Sequence, residues 1–235
     1  MDRKHHWAYP ALTKPGLTRE QLLVHFRHEY LVYVRDFPVL LARALGATAP
    51  LDDVRRALAE NLYEEQTGGL SRTAAHPELF LRMMGGLGFD RAAFADDDAA
   101  LHPAARKYRD FLRERSASQP WQSAVGLLTI FVEGSVNERA ELAGTYVRRR
   151  GEQAVTEHPL VKFYGCKTEA MELTRAHAEV EGGHREDAWR MVETHAPDGS
   201  AEARGVIETC EQALSLWHAY RDGVAERMGL REKAA

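Results

Sequence analysis

The sequence predicts an all-α protein folded as one domain. Three observations carry that prediction. Apolar residues recur at three- and four-residue spacings through most of the chain. No stretch alternates apolar and polar residues in the strand pattern, and no Asn-Gly or Asp-Gly hairpin signal sits between such runs, Asp198-Gly199 falling in a polar loop. A chain of 235 residues that is 44% hydrophobic can bury one substantial core. No repeat, low-complexity tract or linker divides it. Residues 1–235 therefore read as a single domain, with 1–17 as an N-terminal extension and 204–235 as a C-terminal helical segment.

Each element has its own signal. Thr18 with Gln21 three residues on fits a capping box, and Leu22, Phe26, Tyr33, Phe37 and Leu41 form an apolar stripe, so a helix is expected over 18–46 with a bend at Pro38. A second helix is expected from Leu51 to Glu65; Asp52 and Asp53 suit its N-terminal dipole and Gly68-Gly69 ends it. Pro77 marks the first turn of a third helix that stops at Gly85-Gly86. Pro103 to Arg115 gives a fourth. Gln119 to Val147 reads as a long helix with a very apolar first half, and His158 to Met191 as another with a break near Gly165. Arg204 to Met228 closes the chain, with Val206, Cys210, Leu214 and Trp217 on one face.

Composition narrows the function. A net charge of -4 and the short run Arg148-Arg149-Arg150 give no electrostatic reason to expect nucleic acid. The longest apolar run, Val125 to Val132, is too short to span a bilayer, and Met1 to His6 is not followed by the apolar core of a signal peptide. Two isolated cysteines, Cys166 and Cys210, suggest a reducing compartment, so a soluble cytoplasmic protein is expected.

The chemistry gathers on one helix. His177, Glu181 and His184 share one helical face, and two imidazoles with a carboxylate suit a borderline divalent cation such as iron or manganese. In helical bundles a two-metal site draws carboxylates and histidines from facing helices, so one helix supplies half of it. Glu133 follows the apolar run Leu127 to Val132, where a carboxylate is costly to bury unless paired or bound to a cation. Glu65 ends one expected helix and His76 begins the next, so the two could meet across the turn. Ordinary alternatives stand beside each reading. The His177 face could be a solvated surface, Glu133 could pair with Arg139 or Arg175, and His76 could cap a helix. His25 and His28 suit surface or core better than a ligand set. Gly182-Gly183 costs roughly 1 kcal/mol per residue in a helix and marks either close packing, room for substrate or local unwinding.

The stretches Glu60-Asn61-Leu62-Tyr63-Glu64-Glu65 and His76-Pro77-Glu78-Leu79-Phe80-Leu81-Arg82, together with His177-Ala178-Glu179, Glu181 and His184, resemble the haem-oxygenase-like di-metal oxidases. These are relatives of the thiaminase-like and pyrroloquinoline-quinone-synthase-like proteins. The resemblance runs from about Thr18 to Trp189. It implies a haem-oxygenase-like seven-helix bundle without haem, and two ferrous ions held by Glu65, His76, Glu133, His177, Glu181 and His184. It also implies dioxygen as co-substrate and oxidation of a small amine, amino acid or related metabolite by N-oxygenation, desaturation or carbon–carbon cleavage in specialised biosynthesis. An external electron donor and a homodimer are compatible with it. Departures are Glu181, where relatives more often carry Asp, and a long segment between Glu133 and His177, which suggests an insertion near 148–156 and makes Glu138 and Glu141 reserve ligands. Tyr30, Tyr33, Phe131 and Trp189 are candidates to line a substrate cavity, although the Tyr30, Tyr33 and Phe37 group suits core packing better. Two rivals remain: a cofactor-free oxidase of the pyrroloquinoline-quinone-synthase type, and a non-catalytic helical binding protein. A thiaminase-like nucleophile is disfavoured because neither cysteine has an activating base nearby in sequence.

Overall fold

Thr18 adopts an extended N-cap conformation and its hydroxyl accepts from Gln21 N–H, while the Gln21 side chain accepts from Thr18 N–H. This capping box starts a long helix in the computed structural model, which describes residues 2–95, 97–135, 137–147, 149 and 151–232; the side chains of residues 138, 142 and 179–185 lie outside that description. After a single turn, α1 (Tyr9–Leu12), come α2 (Arg19–Glu29) and α3 (Phe37–Ala47), separated by a π-helical segment, Tyr30–Val34. The continuous helix expected over 18–46 is thus broken. Pro38 sits in the first turn of α3, where its missing N–H costs nothing, so it restarts the helix and does not bend it.

Next come α4 (Asp52–Thr67), α5 (His76–Gly86), α6 (Pro103–Arg115) and α7 (Trp121–Val125), the last running directly into a second π segment, Gly126–Val132. The long helix expected over 119–147 ends there, because the chain leaves helical geometry after Glu133 and re-forms only the short α8 (Glu138–Leu142). Two further short helices follow: α9 (Gly151–Thr156), within the region expected to hold an insertion, and α10 (Pro159–Tyr164) just after it. Gly165 ends α10 in the left-handed conformation at φ 71°. α11 (Glu172–His195) follows, and α12 (Ala201–Arg227) closes the bundle. The backbone of α11 passes through Gly182-Gly183 without a break. Packing against its neighbours outweighs the propensity cost of about 1 kcal/mol per glycine.

One apolar core is shared by all the long helices. Leu41, Leu58, Leu79, Leu112, Leu127 and Leu128 are fully buried in it, each contributing roughly 1.5–3 kcal/mol through lost contact with water. α12 packs along α6 and α7, and α3 along α4. α11 lies against α4, α5, α9 and the Gly126–Val132 segment. The core also contains a charged pair. Arg221 of α12 donates to Glu29 of α2 at 2.8 Å and stacks 4.1 Å from the Trp217 ring centroid. Among the described residues no strand occurs, and no helix is long and apolar enough to cross a membrane.

Candidate metal centre

The site begins with the way α4 ends. Gly68 terminates the helix at φ 64°, and a Cβ there would collide with the backbone of Thr73 and Ala74. A glycine therefore lets the 69–75 turn fold tightly back and return His76 to the helix it has just left. His76 is the first residue of α5 and is 3% exposed. Its Nε2 donates to Glu64 Oε1 at 3.0 Å. The same Glu64 carboxylate, fully buried, accepts from Leu70 N–H, Ser71 N–H and the Ser71 hydroxyl. Burial raises the Glu64 carboxyl, but the Ser71, His76 and Leu70 hydrogen bonds outweigh it and hold the group below its ordinary range.

With Nε2 committed as a donor, the His76 lone pair belongs to Nδ1. That atom is buried without a hydrogen-bond partner. Glu65 Oε1 lies 2.8 Å from it, but not in hydrogen-bonding alignment. Two ligands at right angles about a metal roughly 2.1 Å from each would stand about 3 Å apart. His177 of α11 brings its ring to 4.9 Å from that of His76, edge to face. Donor atoms of Glu65, His76 and His177 all fall within 4.8 Å of one another. A carboxylate directing the far nitrogen of a ligand histidine is the usual outer support of a metal site, and Glu64 supplies it here.

Glu133 approaches from the end of the Gly126–Val132 segment. Its partner is Asn61 of α4, whose Nδ2 donates to both carboxyl oxygens at 3.0 and 3.2 Å. Burial pushes the Glu133 carboxyl up to about 8, and the charge of nearby Glu65 adds to the rise. Two carboxyl groups converge there in a space that disfavours both being ionised. A cation would reverse that preference. His76 feels the opposite balance: burial lowers it, but Glu65 and Glu64 outweigh burial and raise it. The orphaned His76 Nδ1 and the paired acids fit a hard or borderline divalent cation. Arg139 and Arg175, the alternative partners for Glu133, pair instead with Asp2 and Glu152.

Glu181 and His184 lie on the continuous backbone of α11, but their side chains fall outside the described residues, as does that of Glu138. Asn61 and Glu64 were not singled out by sequence. Asn61 precedes Glu65 by four residues and so shares its helix face, a signal that was available. Nothing in the sequence distinguished Glu64 from Glu65 before the return turn was seen.

The sequence model of the iron-containing redox enzymes matches residues 24–218. The chain belongs to the iron-containing redox enzyme family. Every residue of the converging cluster lies within the matched span. Comparison with curated proteins returns no significant match. Among solved structures the chain is similar to a domain of unknown function with a heme oxygenase-like fold from Shewanella denitrificans. That similarity has a TM-score of 0.65 at 16% identity, covering 97% of this chain and 89% of the other. The fold of this iron-containing redox enzyme is therefore the all-helical, heme oxygenase-like one.

A mostly apolar cavity of about 670 Å³ lies between the Gly126–Val132 segment, the C-terminal half of α11, and α12, and none of the cluster residues lines it. Ile130, Phe131, Trp189, Val192, Val206 and Leu214 contribute to its wall. Tyr30 and Tyr33 lie elsewhere. Tyr30 packs between Phe80 and Phe94, and Tyr33 donates to Glu29 beside Trp217. The fate of both follows from the π segment Tyr30–Val34, which turns them into the core between α2 and α3. His25 faces Glu29 at 3.4 Å, and His28 bridges backbone groups. Burial raises the thiols of Cys166 and Cys210, the latter to about 11, which is the reverse of what activates a nucleophile.

Proposed function

We propose that this chain is a non-haem di-iron enzyme that uses dioxygen to oxidise a small amine, amino acid or related metabolite. The observation that carries the proposal is the meeting of Glu65, His76 and His177 from three helices, with the charge of Glu65 felt at the buried Glu133 carboxyl. In this reading Glu65, His76 and His177 hold one iron, and Glu133, Glu181 and His184 complete the second. The irons would supply electrons for dioxygen reduction, a chemistry no side chain of the protein provides.

The remaining tasks fall to the protein. Glu64 keeps His76 in the tautomer with a free Nδ1 lone pair. Asn61 holds the Glu133 carboxyl against α4 and fixes which way its oxygens point. Glu133 carries a proton near neutral pH when no cation is present, and gives it up on metal binding. The cavity walled by Ile130, Phe131 and Trp189 begins one helical turn before Glu133 in sequence and offers apolar surface to a substrate. Its apolar wall favours a substrate with a hydrocarbon portion over one that is charged throughout.

Anaerobic addition of Fe2+ to metal-free protein, followed by air, tests the reading. Oxygen should be consumed in proportion to bound iron, and His177→Ala should abolish both binding and uptake. Full iron binding in His177→Ala would contradict the assignment.

A further inference from the structure

Lys4 lies 129 residues before Glu133 in sequence, and its side chain is buried at 5% exposure. Its Nζ donates to Phe131 O at 2.6 Å, to Val132 O at 3.1 Å and to Gly134 O at 3.1 Å. Those carbonyls flank Glu133 on both sides. They belong to the place where the Gly126–Val132 segment ends, and the last carbonyls of a helix have no N–H donors of their own. Glu133 N–H still reaches back to Leu128 O and Gly134 N–H to Ile130 O, after which the chain leaves the helix. An ammonium at this point supplies the missing donors and complements the negative end of the helix dipole.

The ammonium is itself held. It lies 4.9 Å from the centre of the Trp217 ring and 5.1 Å from that of Phe131. Trp217 Nε1 donates to Lys4 O at 3.0 Å, and His218 Nε2 donates to Arg3 O at 2.7 Å, fastening the same segment to α12. A buried ammonium is costly unless its donors are satisfied, and three charge-assisted bonds with two aromatic faces satisfy it. The carboxyl end of Glu133 is gripped by Asn61, and the backbone on either side of it by Lys4.

We propose that Lys4 is a positioning residue for the metal centre: by capping the carbonyls of residues 131, 132 and 134 it fixes the backbone from which Glu133 reaches its cation. This rests on the reading of Glu133 as a ligand. Lys4 also contributes to the cavity wall beside Phe131, but its proposed effect on the metal runs only through that backbone.

The test is a double-mutant cycle on Fe2+ affinity, measured anaerobically with the full-length chain, using Lys4→Met, Glu133→Ala and the double variant, with thermal midpoints of the metal-free proteins alongside. Lys4→Met should weaken Fe2+ binding about 10- to 100-fold, the range typical of lost outer support. In the Glu133→Ala background the same change should cost nothing further. Lys4→Gln, which keeps amide donors for two of the carbonyls, should fall between and guards against a methionine variant that fails to fold. A lowered thermal midpoint with unchanged Fe2+ affinity would overturn the inference, as would an equal loss with and without Glu133. Wild-type protein that binds no Fe2+ would overturn the metal reading and this inference together, whereas wild-type binding with an unaffected Lys4→Met overturns this inference alone.

Discussion

At the scale of single residues, the proposed centre depends on groups that aim its candidate ligands as much as on those ligands. Glu64→Gln preserves volume but replaces the carboxylate that accepts from His76 Nε2. It should lower Fe2+ affinity about 10- to 100-fold, read by anaerobic titration, while the helix ends on either side stay formed. A second prediction concerns His28, which donates from Nδ1 to Val24 O at 2.7 Å and accepts His102 N–H at Nε2, 3.1 Å away. Burial pushes its pKa down to about 4, against the Val24 hydrogen bond that favours the charged form. The unfolded chain therefore binds a proton near pH 6.5 that the folded chain refuses until about 4. Stability should fall as pH drops through that window by about 3 kcal/mol, and level off below it. Urea denaturation across the window should show this slope in wild type and a shallower one in His28→Gln. An identical slope in both would remove His28 from the acid response. The candidate ligands His177 and Glu133 were read from the sequence by type and spacing, and the structure brings His177 to Glu65 and His76. The role of Glu64 was not legible, because it arises only when the chain turns back at Gly68, whereas Asn61 shares the helix face of Glu65 four residues on.

At the scale of elements, two junctions decide whether the cluster can assemble. The first is the return turn between α4 and α5. Gly68→Ala would place a side chain at φ 64° and against the Thr73–Ala74 backbone, and should destabilise the fold by about 2 kcal/mol while displacing His76 from Glu65. Loss of Fe2+ affinity beyond what the stability change explains is the expected signature. The second junction is the buried Arg221–Glu29 pair that ties α12 to α2. Arg221→Met leaves Glu29 buried without its cation and should cost about 3–5 kcal/mol, measured by chemical denaturation. A cost near zero would show that His25 and Tyr33 satisfy Glu29 without Arg221. Helix starts were well marked in the sequence, since Thr18, Pro77 and Pro103 act locally. Helix interruptions were not. The breaks at Arg35-Asp36 and beyond Glu133 follow π segments, whose extra residue per turn leaves the apolar periodicity almost unchanged.

At the scale of the whole molecule, the bundle works as a frame around the polar cluster of Glu64, Glu65, His76 and His177. α4, α5, α11 and the Gly126–Val132 segment converge on it, and the cavity lies between that segment, the far half of α11 and α12. The all-helical class followed from periodicity alone, because helical spacing is a local property. Convergence of the ligands is a tertiary property that no spacing encodes, and before the structure it rested on family resemblance. The membership of the iron-containing redox enzymes and the heme oxygenase-like fold now give that convergence its chemical context.

The central claim is that iron sits among Glu65, His76, Glu133 and the histidines of α11. Mössbauer spectroscopy of protein loaded anaerobically with 57Fe2+, in wild type and in His76→Ala, tests it most directly. The account predicts two ferrous ions per chain with nitrogen and oxygen ligation in wild type, and loss of at least one in His76→Ala. A wild-type spectrum of free aqueous iron, or one that His76→Ala leaves unchanged, would contradict it.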